Sequence, residues 1–239
     1  MNRTDIDRVL VEKLSAQSAG CELRSELTQA IAERIGRNLS AVRPLKPFGY
    51  YAAGFALIFL APIVAALGML RNYGIAGISP AVIVIAFGAL AVCAALLAVS
   101  LAADMSPGTR CPAPAVVLTG GILLSLAAMF CVLLPYHTET SFWVPSSNCL
   151  QLGVVFAVPT AALAWGLLRR GAVLSPAISG AAAGLLGGLA GLTVLEIHCP
   201  DHNLAHVLVA HWGTALVCTA IGLAVGALIE RRERMALRS

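Results

Sequence analysis

The stretch EIHCPDHNLAH, residues 196–206, lies between two long apolar runs and packs three histidines, one cysteine and two carboxylates into eleven positions. Ionisable groups are costly in hydrocarbon, so a polar cluster this dense marks a level at which a membrane-embedded chain returns to water. The composition agrees. Hydrophobic residues make up 59% of the 239 and charged residues only 12%, against roughly 25% charged in ordinary globular domains. The net charge of +4 reads as a signal of orientation, because most basic residues flank apolar runs; no direct nucleic-acid contact is expected, and the lipid bilayer is the first partner.

Outward from that stretch, six apolar runs fall at about 49–70, 79–103, 114–135, 149–168, 173–195 and 207–229. Each is of a length that crosses a bilayer as a helix, about 20 residues. The expected fold is therefore all-α: a polytopic membrane protein with a bundle of six transmembrane helices over 49–229, an N-terminal cytoplasmic helical arm over 1–48, and a basic tail over 230–239. The connections are short enough for basic residues to report sidedness. With the arm inside, one face collects eight basic residues from the arm plus Arg110, Arg169, Arg170, Arg231, Arg232, Arg234 and Arg238, and the other face holds Arg71 alone. The N-terminus has no apolar core of the kind a secretory signal needs. The expected location is a bacterial inner membrane, with both termini cytoplasmic and the 196–206 stretch facing outward.

Residues 1–48 carry 14 of the 28 charged side chains. Thr4 is a helix N-cap candidate, and Ile6, Val9, Leu10 and Leu14 then share one helical face. After Gly20 a second stripe follows at Leu23, Leu27, Ile31 and Ile35. Two short helices cannot bury both stripes against each other in about 40 residues, so the arm lies on the bilayer or grips a partner. Its charges are mixed in sign, where membrane-surface helices are usually rich in Lys and Arg; a protein partner is favoured. The segment before the first span, Val42-Arg-Pro-Leu-Lys-Pro47, is expected to be extended, because proline disfavours helix in the residue before it.

No Asp, Glu, Lys or Arg falls inside the expected spans. Gly180, Gly184 and Gly188, and likewise Gly222 and Gly226, repeat every four residues, the pattern that lets membrane helices approach closely. Pro62 and Pro159 fall mid-span, with similar residues after each, a faint mark of two three-helix halves. On the outward face, Cys149 and Cys199 come to similar depth, with Cys131, His137 and Glu139 on the same side. Oxidising compartments preserve disulfides, so a structural Cys149–Cys199 bridge is one reading. A thiol or metal sensor is the other, with His198, His202, His206 and His211 as accessory ligands and Asp201 or Glu196 orienting an imidazole. The spacing fits no standard zinc pattern, Pro200 separates His198 from His202, and His206 and His211, five apart, fit one helical face poorly.

The C-terminal half resembles a known family. Cys149-Leu150, Pro159, Leu167-Leu-Arg-Arg-Gly-Ala172, Pro176, Gly180-Ala-Ala-Ala-Gly184, His198-Cys-Pro200, His211-Trp212 and the closing Gly222 and Gly226 with arginines are similar to the NrsF family, bacterial six-helix inner-membrane anti-sigma factors. The likeness is clearest over residues 145–232; Arg43-Pro-Leu-Lys-Pro47 extends it to the arm's end. The resemblance implies that the arm, through the stripes named above, holds an extracytoplasmic-function sigma factor. It also implies that Cys149 and Cys199 sense oxidative or heavy-metal stress. No enzymatic activity is expected, and no cofactor beyond a transient heavy-metal ion. It gives no role to Cys21, Cys93, Cys111, Cys131 or Cys218, and the arm is longer than the family leads one to expect. From the residues alone, a small six-helix transporter is the alternative, favoured by the glycine-rich spans and paired prolines.

Overall fold

The computed structural model describes residues 46–76, 78–106, 114–136, 143–171, 173 and 175–236, with Thr28, Gln29 and Glu33 of the arm. The stripe residues Ile6, Val9, Leu10, Leu14, Leu23, Leu27, Ile31 and Ile35 lie outside the described residues, as do Cys21, Cys111, His137 and Glu139. The chain divides into two units at Pro44/Leu45; the second is described here. It is all helix among the described residues: α1 Phe48–Met69, α2 Pro80–Met105, α3 Ala115–Leu133, α4 Trp143–Leu168, α5 Pro176–His198 and α6 Leu204–Ala236. All six are long and apolar enough to cross a membrane.

Local chemistry explains the starts and stops. Ser79 caps α2, its hydroxyl accepting from the Val82 N–H, with Pro80 at the first helical position, where its missing N–H costs nothing. Pro176 opens α5 in the same way. Pro200 follows the end of α5, and Asn203 caps α6 by accepting from the Ala205 N–H at 3.1 Å. Pro62 lies inside α1 and Pro159 inside α4.

The architecture is organised around α5. Of its most apolar 18-residue window 94% is buried, against 17–33% for the other five helices. A helix enclosed on all sides needs small residues where neighbours press close, and α5 has two such faces. Gly180, Gly184 and Gly188 lie against the backbone of α6 at Gly222, Cys218 and Ala215; Gly187 and Gly191 lie against α4 at Ala157 and Gly153. A methyl group at any of these five would strike a neighbouring backbone. The remaining core, with Phe55, Leu90, Leu97, Leu101, Leu126 and Phe130 at its centre, joins α1, α2 and α3 to the same helix.

Up-and-down connectivity gives the bundle two unlike ends. At one, α1 and α3 finish, α4 begins, and α5 turns into α6. The backbone there is tied across elements: Gly74 N–H donates to the Ile197 carbonyl at 2.9 Å, and Leu204 N–H to the Pro135 carbonyl at 2.9 Å. Gly74 has no room for a Cβ, which would collide with the backbone of residues 196–199. At the other end lie Lys46, Arg169, Arg170, Arg231, Arg232 and Arg234, and Asp104 accepts a hydrogen bond from Ser179 at 2.8 Å.

Gly184→Ala should lower the stability of the detergent-solubilised protein by about 1–3 kcal/mol, the usual cost of overpacking. Gly120→Ala, where nothing lies within 4 Å of an added Cβ, should leave the unfolding temperature unchanged or raise it. Equal shifts in the two variants would contradict the close α5–α6 packing.

Candidate functional site

Four side chains meet at the first end. Cys149 stands on the second turn of α4, Cys199 immediately follows α5, and His206 and His211 stand on α6. One ligand atom from each lies within 4.8 Å of all the others. The Cys149 and Cys199 sulfurs are 3.4 Å apart, and the Cys199 sulfur is 3.3 Å from His206 Nε2. Both cysteines are free thiols, well beyond the sulfur–sulfur bond length of about 2.05 Å. Three of the four are buried, with exposures of 4% at Cys199, 1% at His206 and 0% at His211, and Cys149 is half-buried.

The histidines owe their meeting to an irregular turn. In a regular α-helix residues five apart point about 140° away from each other. Residues Val207–Trp212 instead form a π-helical turn, whose i→i+5 bonding widens the helix. The rings of His206 and His211 come to 5.4 Å between centroids, edge to face. Such turns are rare and concentrate at functional sites. Trp212 anchors this one, its indole N–H donating to the Leu123 carbonyl of α3 at 2.9 Å.

A second layer orients both rings. His211 Nδ1–H donates to the Glu196 carboxylate at 2.7 Å. Glu196 is itself 5% exposed, so each group gives the other the partner that burial demands. His206 Nδ1 lies 3.1 Å from the Ser146 hydroxyl and 3.4 Å from an Asp201 carboxylate oxygen. His211 Nε2 is buried and makes no hydrogen bond. The hydrogen bond with Cys149 and, after it, burial push the Cys199 thiol above its ordinary range, and His206 and His211 pull the other way. Two neighbouring thiols and two imidazoles with their Nδ1 atoms engaged can do two things. The thiols can be oxidised to a disulfide, or the set can ligate a soft or borderline cation.

The structure brings together Cys149, Cys199, His206 and His211 from the sequence-predicted set. It leaves out His198, whose Nδ1 lies 2.8 Å from the Arg71 carbonyl, and His202, whose buried Nε2 has no partner. Three expectations are corrected. His206 and His211 do share a face, because the π turn replaces the regular helix. Glu196 does not begin a loop: α5 continues to His198 because the chain first meets a helix breaker at Pro200. The helices also carry ionisable groups, Glu196 in α5 and Asp104 in α2. Ser146 went unnoticed in the sequence; its one signal is its place one turn before Cys149, the i,i+3 relation. Of the other described cysteines, Cys218 packs against Gly184, Cys93 is buried in α2, and Cys131 is exposed.

No curated protein matches the chain, and no solved structure does. A family model does: NrsF, negative regulator of sigma F, matches residues 37–231, well over half of the sequence and nearly all of the six-helix unit that carries the thiol–imidazole cluster. The chain belongs to the NrsF family of negative regulators of sigma F.

Proposed function

We propose that this protein is an inner-membrane anti-sigma factor. Its cytoplasmic arm sequesters an extracytoplasmic-function sigma factor, and a periplasmic oxidative or heavy-metal signal at Cys149 and Cys199 releases it. The observation that carries the reading is the pairing of family membership over residues 37–231 with a pair of thiols 3.4 Å apart, one buried and one half-buried, at the end of the bundle away from the arginine cluster. Basic residues favour the cytoplasmic side, which makes the thiol end periplasmic and the arm cytoplasmic. The arm's apolar stripes at Ile6, Val9, Leu10 and Leu14, and at Leu23, Leu27, Ile31 and Ile35, suit a helix-in-groove mode of capture. Catalysis has no part in this reading.

The path from signal to arm follows the fold. His206 and His211 stand on α6, whose far end carries Arg231, Arg232 and Arg234, and Cys149 stands on α4, which ends at Arg169 and Arg170. A change of bonding at the thiols strains the π turn and the glycine contacts between α4, α5 and α6. Emptying a sigma factor complex from 99% to 1% bound takes about 5.5 kcal/mol of differential stabilisation. One disulfide contributes about 2–4 kcal/mol, so oxidation supplies much of that shift but not all of it.

A small permease is the second reading, and the Glu196–His211 pair inside the bundle favours it, because intramembrane ionisable pairs mark proton and ion paths. Membership in a family of negative regulators weighs against it. Flux into proteoliposomes that responds to a proton gradient would establish transport; none is expected.

Full-length protein in detergent should capture its sigma factor at about 1 µM or tighter, and deletion of residues 1–44 should weaken capture at least 100-fold. Equal capture by the truncated chain would contradict the role of the arm. In cells, Cys149→Ser and Cys199→Ser should each abolish induction of sigma-dependent transcription by oxidant or cadmium. Normal induction in both would remove the thiols from sensing.

A further inference from the structure

We propose that Cys149, Cys199, His206 and His211 form a closed, four-coordinate site for a divalent d10 cation of the zinc and cadmium class. Glu196 on His211, and Ser146 with Asp201 on His206, act as positioning residues. The inference deepens the sensing role proposed above and rests on it for its biological consequence, though not for its geometry.

The donor set selects the ion. Two sulfurs and two imidazole nitrogens suit borderline and soft metals, whereas magnesium and calcium require oxygen ligands. Around tetrahedral zinc, with bonds of about 2.3 Å to sulfur and 2.0–2.1 Å to nitrogen, donor atoms stand roughly 3.3–3.8 Å apart. The Cys149–Cys199 separation of 3.4 Å and the Cys199–His206 separation of 3.3 Å come within about 0.4 Å of the sulfur–sulfur and sulfur–nitrogen spacings of such a site, and the whole set fits within 4.8 Å. Closing the widest pair takes a movement of about 1 Å. On binding, each thiol gives its proton to solvent and no electron moves. Two thiolates then offset the double positive charge of the ion within the donor set.

The orphaned nitrogen is the independent observation. His211 is 0% exposed, its Nδ1 is committed to Glu196, and its Nε2 has no hydrogen-bond partner. A buried polar atom without a partner is unfavourable, and a cation among the four ligand atoms supplies one. Both rings are held as ligating imidazoles usually are, with Nδ1 on a carboxylate or hydroxyl. The π turn acquires a reason as well, because it alone gives α6 two imidazoles on one face.

The test is cobalt and zinc binding by the reduced full-length protein in detergent. One equivalent of Co2+ should give the intense visible bands of a tetrahedral ion together with near-ultraviolet thiolate charge transfer for two sulfurs, and one equivalent of Zn2+ or Cd2+ should bleach them. His206→Gln and His211→Gln should each change the visible bands and weaken Zn2+ binding at least 100-fold, and Glu196→Gln should weaken it about 10–100-fold. No binding at micromolar Zn2+, or an octahedral spectrum without thiolate transitions, overturns the proposal. So does an ion that binds with its spectrum and affinity unchanged in both histidine variants, which would be a dithiolate site only. Where a variant fails to fold, the wild-type cobalt spectrum decides, since it reports geometry and thiolate count by itself. Sigma factor capture on the same preparation keeps the two claims apart. Loss of capture with an intact N2S2 spectrum sinks the anti-sigma reading, and capture without metal binding sinks this one.

Discussion

A helix with no lipid-facing side is the constraint from which the rest follows. α5 is buried over nearly its whole length, and side chains of ordinary size cannot be placed on it wherever two other helices pass at backbone distance. Glycines at 180, 184 and 188 toward α6, and at 187 and 191 toward α4, answer that constraint. Hydrophobic burial offers little drive for helix association in a bilayer; close packing does. Because α5 is enclosed, its last turn can hold a carboxylate that hydrocarbon would reject, and Glu196 then fixes His211 at a depth lipid does not reach.

The thiol–imidazole cluster sits where α4, α5 and α6 meet at one end of the bundle. Cys149 belongs to α4, Cys199 to the end of α5, and the histidines to α6, so any bond among them is a bond between helices. The energies separate the candidate signals. A disulfide contributes about 2–4 kcal/mol, while a structural zinc site contributes about 10–16 kcal/mol in small peptides. Against the roughly 5.5 kcal/mol that a near-complete switch demands, a disulfide needs help from packing, and a cation acts only through the difference in its affinity for the two states. The same thiols cannot be bridged and ligated at once, so the two proposed signals exclude each other at one site.

Much of the fold was legible in the sequence because its determinants are one-dimensional. Six apolar runs and the four-residue glycine spacing needed no knowledge of neighbours. The site was legible in part. Cys149 and Cys199 could be placed at one depth by counting spans, and Glu196 was recognisable as a partner for an imidazole. The pairing of His206 with His211 was not, because a five-residue spacing contradicts the α-helical period. Only the packed environment of α6, with Trp212 anchored to α3, pays for the widened turn. Ser146 was invisible for a related reason: a lone hydroxyl one turn before a cysteine has no pattern until a histidine sixty residues on meets it.

The central proposal is that the N-terminus is cytoplasmic and the thiol cluster periplasmic. Protease protection in right-side-out and inside-out vesicles tests it most directly, with one tag fused ahead of Met1 and a second epitope inserted at Thr140, in the connection that joins α3 to the cluster end of α4. The N-terminal tag should be cleaved only in inside-out vesicles and the Thr140 epitope only in right-side-out ones. Cleavage of both from the same side would contradict the account.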